Sequence, residues 1–99
     1  ESQFVWLAFL EEELAGWIHI RLHPEDKMGE IYILAVAPRY QRQGIGKALM
    51  TYACDQIKQK GMEMVMVETG GDLGHAPARK TYENFGFEQW PVARYFKKL

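Results

Sequence analysis

The stretch Glu30-Ile31-Tyr32-Ile33-Leu34-Ala35-Val36-Ala37-Pro38-Arg39-Tyr40-Gln41-Arg42-Gln43-Gly44-Ile45-Gly46-Lys47-Ala48-Leu49 reads as a strand, a tight loop and the start of a helix. Residues 31–37 are apolar at every position, the pattern of a strand covered on both faces. Pro38 stops it. From Ile45 the apolar residues fall at Ala48, Leu49, Tyr52, Ala53 and Ile57, a stripe at helical spacing. Gly61 follows as a helix-ending residue, and residues 62–68 read as a second buried strand. A strand–helix–strand unit of this length predicts two parallel strands joined by a right-handed crossover.

Outward from this unit the chain alternates. Residues 4–9 are aromatic and β-branched, as strands prefer. In residues 14–22, Leu14, Ile18, Ile20 and Leu22 share one face, with Trp17, His19 and Arg21 on the other. The short acidic connection over residues 10–13 predicts an antiparallel hairpin. Pro77 suits the first turn of a second helix with Ala78, Tyr82 and Phe85 inward, ended by Gly86. Residues 92–98 alternate as a closing strand. The expected order is β-β-β-α-β-α-β: an α/β (α+β) fold with a mixed, mostly antiparallel sheet and a central parallel crossover.

The junction at residues 41–47 carries chemistry. Where a helix begins, several backbone N–H groups lack partners and present a partial positive charge. Gly44 and Gly46 remove side chains that would hold an anion away, and Arg42 and Lys47 add charge, so Gln41, Arg42, Gln43, Gly44, Ile45, Gly46 and Lys47 form a phosphate cradle. A nucleotide-hydrolysing loop needs Gly at position 41 and a hydroxyl at position 48, which are Gln and Ala. A dinucleotide loop needs a third glycine where Leu49 stands. What remains is Gln-x-x-Gly-x-Gly.

With the strand from Glu30 to Pro38 and the ending Tyr82-Glu83-Asn84-Phe85-Gly86-Phe87, this loop resembles the GCN5-related N-acetyltransferase (GNAT) superfamily. The resemblance implies acetyl-coenzyme A as cosubstrate, no metal, and transfer of its acetyl group to a primary amine by direct attack in a ternary complex. It implies that the pantetheine arm pairs with the backbone at Leu34, Ala35 and Val36, an N–H at Leu34 or Val36 polarising the acetyl oxygen. Glu30 sits where some members carry a general base; in an unbulged strand it shares a face with Tyr32, Leu34 and Val36. Glu68 is the competing carboxylate. Tyr82 matches a tyrosine that donates a proton near the coenzyme sulfur, alongside the reading of a core aromatic. His75 stands where many relatives have Asn against the pantetheine arm, and a base role is also open. The loop of residues 70–74 is placed to shape the acceptor pocket.

At 99 residues the chain reads as one domain, residues 1–99, shortened at its N-terminus relative to the family. An apolar share of 47% excludes a disordered tail, and a net charge of −1 gives no basic footprint for nucleic acid. No apolar run suits a membrane helix. The single cysteine, Cys54, forbids an internal disulfide and fits a reducing, cytoplasmic setting. His19 and His23 lack further ligands for zinc. The acceptor is a small-molecule amine or a protein lysine. Apolar surface exposed by the shortened front would favour a homodimer. A non-catalytic acyl-coenzyme A binding module, lacking an acceptor site, is the competing reading.

Overall fold

Alternating apolar residues and tight turns set the strands, and a computed structural model describes residues 2–69, 71 and 73–99. The elements are β1 (Gln3–Leu10), β2 (Glu13–His23), β3 (Met28–Val36), α1 (Ile45–Gln59), β4 (Met64–Val67) and α2 (Ala76–Asn84). The chain divides into two compact units, Glu1–Glu68 and Thr69–Leu99. Among the described residues no helix is long and apolar enough to cross a membrane.

The first unit is a four-stranded sheet in the order β1-β2-β3-β4. β1, β2 and β3 pair antiparallel, and β3 pairs parallel with β4 across the α1 crossover, as the sequence predicts. The β1–β2 turn has two residues, Glu11 and Glu12, both at positive φ (51° and 69°), the conformation that matches the twist of a tight hairpin. Helix α1 covers one face: Leu49, Met50, Ala53 and Ile57 are buried, as are Ile18, Ile20, Leu22 and Ile31 of the sheet.

Two bulges redirect side chains. At the first, Ala8 faces Gly16 and Phe9 faces Leu14, so Ala15 is the extra residue. Leu14 therefore leaves the buried face expected for it and is 49% exposed. At the second, His19 faces Ile33 and Ile20 faces Ile31, which makes Tyr32 the extra residue of β3. Sequence reading covers residues 31–37 on both faces; instead Tyr32 and Ile33 are exposed and only the α1 side is closed.

The second unit holds α2, with Pro77 in its first turn and Gly86 at φ 107° just past its C-cap, Phe85. The closing strand expected over residues 92–98 does not form. A strand exists only by pairing with a neighbour, and among the described residues the sheet has four strands, none of them from this segment. Val92, Tyr95 and Phe96 are accordingly exposed.

Gly29 marks the closest approach of helix to sheet. A Cβ there would lie 2.6 Å from Ile57 Cγ2 and 2.9 Å from its Cδ1, and Ile57 is fully buried, with no room to turn aside. Gly29→Ala should destabilise the fold by about 1–3 kcal/mol, read as a lower urea midpoint. An unchanged midpoint would show that Ile57 repacks freely.

Candidate active site

After β3 the chain makes a short 3-10 turn at Pro38–Tyr40. Its anchor is a side-chain cluster: Arg39 pairs with Glu13, and the Tyr40 hydroxyl donates to Glu13 Oε1 at 2.9 Å. Arg39 is thereby committed to the fold. Gln41 Nε2 donates to the Val36 carbonyl at 3.1 Å and Gln43 Nε2 to the Arg39 carbonyl at 3.3 Å. Both side-chain amides close the loop upon itself, and Gln41 N–H donates to the Pro38 carbonyl at 3.3 Å, so what this pair can offer an anion is the Gln43 backbone N–H.

Arg42 (φ 65°) and Gly44 (φ 82°) both take the left-handed conformation, which bends the chain sharply into α1. For Arg42 this costs about 1–2 kcal/mol. No side chain caps α1, and its first turn-closing bond runs from Ala48 N–H to the Gly44 carbonyl at 2.9 Å. The N–H groups of Gly44, Ile45, Gly46 and Lys47 therefore precede the helical ladder. A Cβ on Gly44 would meet nothing within 4 Å, so open space lies before it, whereas one on Gly46 would touch Val36 Cγ2 at 3.7 Å. Among the described residues neither Arg42 nor Lys47, both exposed, pairs with a carboxylate.

Among the described residues no strand pairs with the outer edge of β3 beside this loop. Pairing of β3 with β4 ends at Ile31 and Val67, while pairing with β2 continues to Val36 and Gly16. Ala37 N–H donates to the Ala15 carbonyl at 2.8 Å, on the β2 side. Backbone direction alternates along a strand, so the N–H groups of Val36 and Leu34 point the other way, into the gap that β4 leaves. Close by, Leu14, Ala15, Gly16, Trp17, Ala35, Val36 and Ala37 line an apolar cavity of about 200 Å³.

Glu30 projects from the sheet face opposite α1. Its Oε1 lies 2.9 Å from His23 Nε2, and its side chain is 18% exposed. The bulge at Tyr32 corrects the expected alignment. Tyr32 stays on the Glu30 face, as its ring contact with His19 shows, but Leu34 moves to the α1 face beside Ile18. The pairings Arg21–Glu30 and His19–Ile33, with Tyr32 between them, make a polar and aromatic cluster that sequence reading does not assemble. Only the bulge could have revealed it, and no residue type announces that bulge.

Glu68 lies exposed one residue beyond β4. In the second unit His75 is the N-cap of α2 and is exposed. Tyr82 is half-buried on α2, its ring edge-on to Phe87 at 5.9 Å, and burial pushes its phenol pKa up. Of the loop at residues 70–74, Gly70 and Asp72 lie outside the described residues. Burial, then the charge of Asp55, raises the Cys54 thiol. Among the described residues no cluster of three or more His, Cys, Asp or Glu could hold a metal. His19 instead bonds Gln3 at 2.8 Å.

A parallel strand pair that parts early, an unpaired strand edge at the gap, and an uncapped helix start with a glycine facing open space leave room for an extended, phosphate-bearing molecule. The Acetyltransferase (GNAT) family model matches residues 1–87, and the chain belongs to that family. It is 31% identical over 83 residues to the uncharacterized N-acetyltransferase YsnE of Bacillus subtilis (strain 168), covering 84% of this chain and 54% of YsnE. A crystal structure of a GNAT-family protein from Desulfovibrio desulfuricans superposes with a TM-score of 0.88 at 28% identity, over 96% of this chain and 60% of that one. A protein from Bacillus anthracis str. Ames, assigned as a streptothricin acetyltransferase and solved with acetyl coenzyme A, superposes with a TM-score of 0.78 at 27% identity, over 87% and 47%. The chain thus spans about half the length of YsnE. Its residues are compatible with the coenzyme: open space before Gly44 would take a diphosphate, and the edge at Leu34 and Val36 would pair with an amide-bearing arm.

Proposed function

We propose that this chain is an N-acetyltransferase domain, residues 1–99, acting in the cytoplasm on a primary amine of a small molecule or a protein lysine. The observation that carries the reading is the open β3 edge, Leu34 to Val36, running directly into the uncapped loop at residues 41–47. When bound, acetyl-coenzyme A supplies the acetyl group as an activated thioester.

The backbone N–H groups of Gly44, Ile45, Gly46 and Lys47 hold the diphosphate, with Arg42 and Lys47 adding charge. Leu34 or Val36 N–H donates to the acetyl oxygen, where negative charge grows during attack. Ala35 pairs its backbone with the pantetheine arm, and His75 contributes a contact to that arm. Glu30 takes the proton that the attacking ammonium must lose, directly or through water, and His23 offers that proton a route to solvent. Tyr82 gives a proton to the departing thiolate; burial keeps its phenol protonated at neutral pH. Attack is direct, in a ternary complex. The single thiol, Cys54, has a raised pKa and so little thiolate character for an acyl-enzyme step.

Release of coenzyme A thiol upon adding a panel of amines tests this reading. Glu30→Gln should lower kcat/KM by about a hundredfold or more while acetyl-coenzyme A still binds. Binding without thiol release from any amine would instead identify a non-catalytic acyl-coenzyme A module.

A further inference from the structure

Arg21 stands out on the sheet face that carries Glu30. Its guanidinium carbon lies 3.4 Å from the centroid of the Tyr32 ring, and that ring also meets His19, edge-on at 5.3 Å. Stacking of this kind holds the planar fork in one orientation. Glu30 is directly cross-strand from Arg21, yet its carboxylate bonds to His23. Arg21 Nε is buried without a hydrogen-bond partner. A buried, unsatisfied donor of a charged group is costly, and a fixed guanidinium fork is complementary to a carboxylate.

The surroundings say where that carboxylate comes from. The face around Arg21 carries exposed Val5, Tyr32 and Ile33, and among the described residues the cross-strand partners of Arg21 are Gln3 and Glu30, of which only Glu30 is acidic. Along β2, the Arg21–Glu30 pair is three residues from the Ile18–Leu34 pair, about 10 Å at the rise of a strand. The Arg21 side chain leans over Tyr32, back toward Leu34. An anion on Arg21 is therefore within one small molecule's length of the N–H at Leu34.

We propose that Arg21, laid on Tyr32 across from Glu30, binds a carboxylate of the acceptor, which makes the acceptor an ω-amino acid or a lysine whose own carboxylate is free. The assignment names the substrate class of the acetyl transfer proposed above and rests on that reading. Arg21 sets specificity at the carboxylate end; Glu30, cross-strand from it, reaches the amine at the far end through water.

Two arms test it. In the first, the Nε–H resonance of Arg21, assigned through bonds in the wild-type chain, is followed by NMR. The probes are 4-aminobutanoate, 6-aminohexanoate and 8-aminooctanoate, each against the alkylamine of equal length. A saturable shift with the amino acids and none with the alkylamines is expected; no shift with any amino acid, or an equal shift with the alkylamines, overturns the proposal. In the second, thiol release is compared for 6-aminohexanoate and hexylamine. Arg21→Gln should cut the ratio of their kcat/KM values by about ten- to a hundredfold. Free lysine against a peptide ending in lysine then separates the two sources of carboxylate, and amidation of the peptide should abolish its preference. The two readings fail separately. A resonance shift without thiol release from any amine removes the transferase reading and leaves the carboxylate site. Thiol release with the same ratio in Arg21→Gln and wild type does the reverse.

Discussion

Gly44→Glu should abolish measurable coenzyme binding. Position 44 faces open space at a φ of 82°, immediately before the uncapped turn of α1. A glutamate there places a carboxylate where the diphosphate would lie. Two like charges 4 Å apart near a protein surface repel by about 4 kcal/mol, a loss of about a thousandfold in affinity. A non-glycine residue in the left-handed region adds about 1–2 kcal/mol of strain to the folded state. Gly44→Ala carries that strain without the charge and separates the two effects: it should lower stability while retaining measurable binding. Titration calorimetry with acetyl-coenzyme A, on variants whose circular dichroism matches wild type, reads the difference. Wild-type affinity in Gly44→Glu would remove this loop as the phosphate site.

Tyr82→Phe should lower kcat by about a hundredfold or more, the size of a general-acid contribution, with little change in acetyl-coenzyme A affinity. The ring stays edge-on to Phe87, so the substitution removes the hydroxyl without disturbing the packing. Burial raises the phenol pKa. The wild-type rate therefore holds to a pH above the ordinary tyrosine value before the donor deprotonates, and that alkaline limb should vanish in the variant. An unchanged kcat would return Tyr82 to the role of a core aromatic.

The crossover from β3 through α1 to β4 is legible in the sequence because three signals coincide there: an unbroken apolar run, Pro38, and a helical stripe from Ile45. The uncapped loop before α1 is legible because Gly44 and Gly46 fall at a helix start, where backbone chemistry dominates. The sheet face that carries Glu30 is not. A single extra residue at Tyr32 moves Leu34 to the α1 side and sets Tyr32 beneath Arg21. Side-chain alternation assumes an unbulged strand, and an apolar run such as Tyr32-Ile33-Leu34 gives no sign of a bulge. Nor does composition show that Glu30 pairs with His23 rather than with Arg21 opposite it. The failed strand at residues 92–98 has a related cause: alternation marks a segment able to become a strand, while pairing depends on a neighbour that sequence pattern does not specify.

The most direct measurement is a melting curve of the 99-residue chain with acetyl-coenzyme A, and with ATP as the control. A ligand at about 100 times its dissociation constant adds about 2.7 kcal/mol to stability, and each kcal/mol moves the midpoint of a domain this size by roughly 4–8 °C. A rise on the order of 10 °C or more with acetyl-coenzyme A, and little with ATP, is the expected result. No rise in a folded sample, or an equal rise with ATP, would contradict the assignment of residues 41–47 as a coenzyme A cradle.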